Sequence, residues 1–282
     1  MKEEVRLDYL RRLFSPYKKG NPFDCFLFQY LQGSGDELKY KFWSKKSSSR
    51  LCFDLYSWMG DDPSYKAIEF EKKLPGIKSG GRLITPNMDV YFETNDGVFF
   101  VESKYTETVN NAIFKNGLPQ AYWETGDVYK NVKGKDVTYP IFQRYHKEEI
   151  VEKEFVSFIN EIETLSSKET ELSWFDAKQE TCHLLGIVFY VLENKPTKQI
   201  HFLNVAANYC DSAFAEQFRK KAELMVNRIL SKYSITAPFD YKLYSVKDYF
   251  EKQHYLEKKG YKSQKTVQEI ITDRTLYSVP VL

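Results

Sequence analysis

The sequence predicts an α/β protein, a mixed β-sheet flanked by helices in a single domain over 1–282. Three observations predict it. Segments with helical spacing of apolar residues (146–167, 175–192, 214–232) alternate with runs of period two (66–74, 199–206, 239–245). A hairpin lies at the centre, where two apolar runs are joined by Thr94-Asn95-Asp96-Gly97, which carries the Asn/Asp-Gly chemistry of a tight turn. No repeat, low-complexity segment or linker divides the 282 residues, and 42% hydrophobic residues suffice for a substantial core.

The elements follow in order. Residues 3–14 have an amphipathic helical pattern through Val5, Leu10 and Leu13, which Pro16 and Gly20 end. The aromatic run 23–31 fits a helix or a strand. Gly33-Ser34-Gly35 reads as a loop and 39–42 as a short extended piece. Residues 45–50 read as a basic polar loop, either a solvated linker or a phosphate-contacting rim. A helix is expected over 49–59, with Leu51, Leu55 and Trp58 on one side, broken at Gly60–Pro63. The strand at 66–74 is expected to put Glu69 and Glu71 on one face. A turn-rich connection at 75–81 leads to the hairpin.

Beyond the hairpin, Gly117 and Pro119 punctuate the chain before a short helix at 120–123. The loop 130–135, with Lys130, Lys133 and Lys135, is either solvated or in contact with a DNA backbone. The helix at 175–192 places Gln179 and His183 four apart, on one face. In the strand 199–206, Ile200, Phe202 and Asn204 alternate with His201, Leu203 and Val205. Residues 246–260 read as helical.

Composition narrows the function classes. The chain carries 41 basic and 39 acidic residues, a net +2. It is no polycation, and a nucleic-acid partner would need a local basic groove. Cys25, Cys52, Cys182 and Cys210 are scattered without a CxxC pair, which disfavours structural zinc and suits free thiols in a reducing cytoplasm. His146, His201 and His254 show no zinc-hydrolase spacing, and no GxxxxGK[ST] loop is present. Neither a signal-like hydrophobic N-terminus nor a membrane-length apolar run is present, so a cytoplasmic protein is expected.

The hairpin carries the chemistry. Alternation puts Asp89, Tyr91 and Glu93 on one face of its first strand, and Phe100, Glu102 and Lys104 on one face of its second. Ionisable groups in apolar strands are costly unless paired or used. By spacing alone Asp89, Glu102 and Lys104 also read as a cross-strand ion pair worth under about 1 kcal/mol.

Asp89 near Pro86, followed by Glu102-Ser103-Lys104, resembles the active-site hairpin of the PD-(D/E)XK nuclease superfamily, the restriction-endonuclease-like fold. Asn87 and Met88 separate Pro86 from Asp89, a departure from the motif. The run Glu102-Ser103-Lys104-Tyr105-Thr106-Glu107 is similar to bacterial restriction-endonuclease-like proteins with Lys-aromatic-Thr-Glu at this place. The resemblance implies a catalytic core over roughly 50–210, with further N- and C-terminal helical elements. It also implies a Mg²⁺- or Mn²⁺-dependent endonuclease acting on DNA in a restriction or defence setting, with a homodimer as one arrangement for cutting both strands. A non-catalytic nucleic-acid-binding protein of the same fold is the alternative.

Under the resemblance Asp89 and Glu102 are metal ligands, the Ser103 carbonyl is a third donor, and Glu71, or Glu69, supplies an upstream acid. Lys104 orients or deprotonates the attacking water and stabilises charge on phosphorus. Several branches of the superfamily also place a Gln on the helix after the Lys strand, which makes Gln179 a catalytic candidate here. His183, one turn on, is a candidate phosphate contact or a satisfied helix histidine, and Glu107 a partner for a nearby cation.

Overall fold

Period-two segments need partners for their backbone groups and an apolar layer on each face. In the computed structural model five strands meet that need in one sheet, in the order β1 (Ala67–Lys73), β2 (Asn87–Glu93), β3 (Gly97–Lys104), β4 (Gln199–Ala206) and β5 (Phe239–Ser245). The structure describes residues 26, 29, 30, 42, 47–61, 63–79, 82–105, 107–123, 128–130, 136–138, 148–206, 212–246, 248 and 249. The expectations for 3–14, for 33–35, for most of 23–31 and 246–260, and for 131–135 lie outside these residues, as do Cys25 and Cys210.

The sheet is mixed. β1, β2 and β3 form an antiparallel meander, whereas β3, β4 and β5 run parallel. Parallel neighbours require long crossovers. These are supplied by α2 (Glu148–Ser166) and α3 (Ala177–Asn194) between β3 and β4, and by α4 (Ala213–Lys232) between β4 and β5. Helix α1 (Ser48–Tyr56) precedes the sheet. At the β2–β3 turn Thr94 N donates to the Gly97 carbonyl at 2.9 Å, as the Asn-Asp-Gly text predicts.

The cores lie on opposite faces. Val98, Phe100, Ile200 and Phe202 pack with α2, α3 and α4, while Val101, Leu203 and Val205 pack with α1, Phe26 and Tyr30. β4 therefore alternates as its sequence predicts. No helix among the described residues is long and apolar enough to cross a membrane.

Caps explain where the helices start. Asp176 accepts from the Lys178 and Gln179 amides, both at 3.1 Å, so α3 begins at Ala177 rather than 175. Ser212 caps α4 in the same way. The expected loop at 45–50 is corrected over its described part. Ser47 Oγ accepts from the Arg50 amide at 3.0 Å, and Ser48–Arg50 form the first turn of α1. Arg50 is buried, with its guanidinium 5.2 Å from the centre of the Phe42 ring. Phe42 itself lies in a 3-10 turn, not an extended piece. α1 stops at Tyr56, and Ser57–Asp61 continue as 3-10 helix. Gln120–Tyr122 is also a 3-10 turn.

Two features of α3 set its place on the sheet. Gly186 lies against the segment that opens β2: a Cβ there would stand 2.7 Å from Pro86 Cγ and 2.9 Å from Leu74 Cβ. Glu180, fully buried, accepts from Asn204 Nδ2 at 2.6 Å and meets the Tyr241 hydroxyl at 2.5 Å, which joins the helix to β4 and β5. Burial, and then the charge of Glu102, push its carboxyl well above the usual range.

Gly186→Ala is expected to lower stability by about 1–3 kcal/mol in urea titration, against its gain of about 1 kcal/mol in helix propensity. Glu180→Gln keeps both hydrogen bonds, with its amide donating to Tyr241. The raised carboxyl binds a proton in the folded state that the unfolded chain gives up near its ordinary value. Wild-type stability therefore falls as pH rises above that value, and Glu180→Gln should gain relative to wild type between pH 5 and 8 in melting scans. A constant offset over that range would contradict it.

Candidate active site

The site forms where the hairpin forks. β2 and β3 pair from Glu93↔Val98 to Val90↔Val101 and then part. Beyond the last pair the Ser103 amide donates to Asp89 Oδ2 at 2.7 Å, so a side chain takes the place of the ladder acceptor. Asp89 is half-buried at this fork.

Glu102 and Lys104 point from β3 toward α3. Glu102 Oε1 accepts from Gln179 Nε2 at 2.7 Å and lies 3.1 Å from Lys104 Nζ. Lys104 Nζ donates to Gln179 Oε1, which closes a three-membered ring of contacts. Glu107 approaches the ammonium at 3.9 Å. One turn along α3, His183 Nδ1 faces Glu102 Oε2 at 3.6 Å, and neither atom has a hydrogen-bond partner. The ring is also hydrogen-bonded to the Asn87 backbone.

Burial and like charge govern the titration of these groups. Burial pushes the Asp89 carboxyl well up, Glu102 adds to the shift, and Lys104 and the Ser103 amide oppose it. Burial lifts Glu102 to about 7 against the pull of Lys104. Lys104 stays above the usual ammonium range despite burial, because Glu102, Asp89 and Glu107 surround it. Burial and the Lys104 charge push His183 down to about 3. Two crowded carboxylates against one ammonium leave the cluster short of positive charge.

That shortage suits a divalent cation. Among the described residues no three His, Cys, Asp or Glu side chains are spaced as a metal-binding cluster. The donors present are the carboxylates of Asp89 and Glu102 and the backbone carbonyl of Ser103. These are hard oxygens of the kind Mg²⁺ takes while keeping several waters. The buried, unpartnered Glu102 Oε2 fits such a role.

The sequence candidates divide accordingly. Asp89 and Glu102–Lys104 meet at the fork, and Gln179 joins them from 75 residues beyond Lys104. The Ser103 hydroxyl is buried beside the Cys52 thiol on the α1 side, so only its backbone is available to the site. Glu71 stands opposite Asp89, between the pairs Phe70↔Val90 and Lys72↔Met88. The shared face expected for Glu69 and Glu71 is not found. Glu71 has φ of 53°, and this left-handed residue breaks the alternation, so Phe70 and Leu74 enter opposite cores. Glu69 instead pairs with Lys72 at 2.7 Å.

Sequence reasoning missed Glu180, Asn204 and Tyr241. The one signal was Asn204, a polar residue inside an otherwise apolar strand face; in the sheet it stands beside Glu102. Comparison with family models, with curated proteins and with solved structures finds no match for this chain.

Backbone strain at Glu71 costs on the order of 1–3 kcal/mol. Glu71→Gly is therefore expected to leave stability unchanged, or to raise it by up to about 1 kcal/mol, in chemical denaturation. A loss would show that Glu71 side-chain contacts outweigh the strain.

Proposed function

We propose that this chain is a metal-dependent endonuclease of the PD-(D/E)XK type that hydrolyses DNA phosphodiester bonds. One observation carries the reading: Glu102, Lys104 and Gln179 close on one another beside a strand fork held by Asp89. The order of parts supports it as well. A helix precedes the core strands, the Asp/Glu/Lys hairpin follows, and the helix that presents Gln comes after the Lys strand, as the resemblance implies.

Asp89, Glu102 and the Ser103 carbonyl would hold Mg²⁺ or Mn²⁺, with Glu71 as an added carboxylate. When bound, the ion would supply Lewis-acid stabilisation of the phosphate and a more acidic water. The protein's own groups do the rest. Lys104, held charged by its acidic neighbours, donates hydrogen bonds to the attacking water and to the phosphate oxygens as negative charge builds. Gln179 accepts from Lys104 through its oxygen and donates to Glu102 through its nitrogen, which fixes both side chains. Burial at the fork limits the water that would weaken these interactions.

Purified protein should cut duplex or single-stranded DNA with Mg²⁺ or Mn²⁺ and stop on chelation. Asp89→Ala and Lys104→Ala should each lower the rate by about 10²-fold or more with circular dichroism unchanged. Salt-sensitive DNA binding without cleavage under either metal would favour the non-catalytic alternative. Neither binding nor cleavage would remove both.

A further inference from the structure

Two acceptor-capable atoms face one another inside the protein with nothing positive between them. Glu102 Oε2 and His183 Nδ1 are 3.6 Å apart, each side chain is no more than 3% exposed, and neither atom makes a hydrogen bond. The Asn87 backbone holds the imidazole, while Nδ1, which makes no hydrogen bond, faces the carboxylate. Such an arrangement is costly unless a cation or a proton lies between the two atoms.

We propose that His183 Nδ1 is a nitrogen ligand of the site's divalent ion, shared with Glu102 Oε2, so that the centre takes Mn²⁺ or Co²⁺ in preference to Mg²⁺. The inference rests on the metal-dependent reading of the Asp89–Glu102 pair. Distance permits it: ligands about 2.1 Å from a first-row ion stand roughly 3 Å apart at right angles and about 4.2 Å apart when opposed, which brackets the observed gap. Chemistry favours it: imidazole suits transition ions, whereas an all-oxygen set suits Mg²⁺. Position favours it too. The ring is held by a backbone hydrogen bond to Asn87, the kind of outer contact that orients a metal-bound histidine. That bond also ties α3 to β2 two residues before Asp89.

The test uses untagged full-length protein and Mn²⁺ alone, read by calorimetry and by pulsed EPR for coupling to imidazole nitrogen. Wild type should show the coupling. His183→Gln, whose amide nitrogen can keep the Asn87 contact, should lose it. His201→Gln should retain it, because His201 pairs with Asp240 away from the site. Mn²⁺ affinity should fall at least about tenfold in His183→Gln, and the preference for Mn²⁺ over Mg²⁺ should shrink with it. His183→Asn, which leaves an oxygen near the Nδ1 position, serves as a second variant should the Gln form not fold.

Mn²⁺ that binds wild type and is lost in Asp89→Ala, but shows no nitrogen coupling, overturns the proposal and points to a proton between the two atoms. Coupling that persists in His183→Gln also overturns it. Metal-dependent DNA cleavage would stand in either case. Wild type that binds no Mn²⁺ and cuts no DNA would remove the nuclease reading as well.

Discussion

The parting of β2 from β3 beyond Val90 and Val101 is the constraint from which the site follows. A buried sheet does not readily give up a ladder hydrogen bond, and here the Asp89 carboxylate replaces the missing carbonyl at the Ser103 amide. The fork could not close without displacing that carboxylate. Its opening lets the next side chain, Glu102, reach α3, and brings the Asn87 backbone to His183. Sheet geometry and site chemistry therefore share one hydrogen bond.

The same cluster weakens the fold locally. Buried like charges and half-satisfied polar atoms cost stability, and the cores on the two sheet faces offset that cost. Ion pairs elsewhere do different work. Glu154 bridges Lys232 at 2.6 Å and Arg228 at 3.0 Å, and Glu161 meets Lys221 at 2.6 Å, all between α2 and α4. Such solvated pairs add little energy but fix the register of two helices. The Glu180–Asn204–Tyr241 set is buried like the site, yet every member has a partner, and it anchors α3 next to the groups that do not.

Periodicity carried much of the fold. The strands at 199–206 and 239–245 end where alternation ends, and the hairpin follows from its turn residues and flanking apolar runs. Helix ends moved by a residue or two because caps decide them. Asp176 starts α3 later than apolar spacing suggests, and Lys195, left-handed at φ 46°, ends it at Asn194. The basic text around Ser47 concealed a helix cap, since charge says nothing of a hydroxyl poised over an amide. Asp89, Glu102 and Lys104 were legible from strand parity and a known motif. Gln179 was legible only through the motif, because no local pattern brings residues 75 apart together. The left-handed Glu71 has no sequence signal, since glutamate does not favour that conformation. The burial of His183 depends on the fork, which parity does not announce.

Gln179, His183 and Gly186 follow one another at intervals of four and three, along one side of α3. Gly186, where Pro86 and Leu74 leave no room for a methyl group, sets how low the helix rides over the strands. The depth to which the two polar side chains upstream descend toward Glu102 is thus calibrated by an absent atom some two turns from the glutamine. A mutation that thickens this contact would tilt the helix off its seat and lift both groups together, altering their chemistry without touching either one.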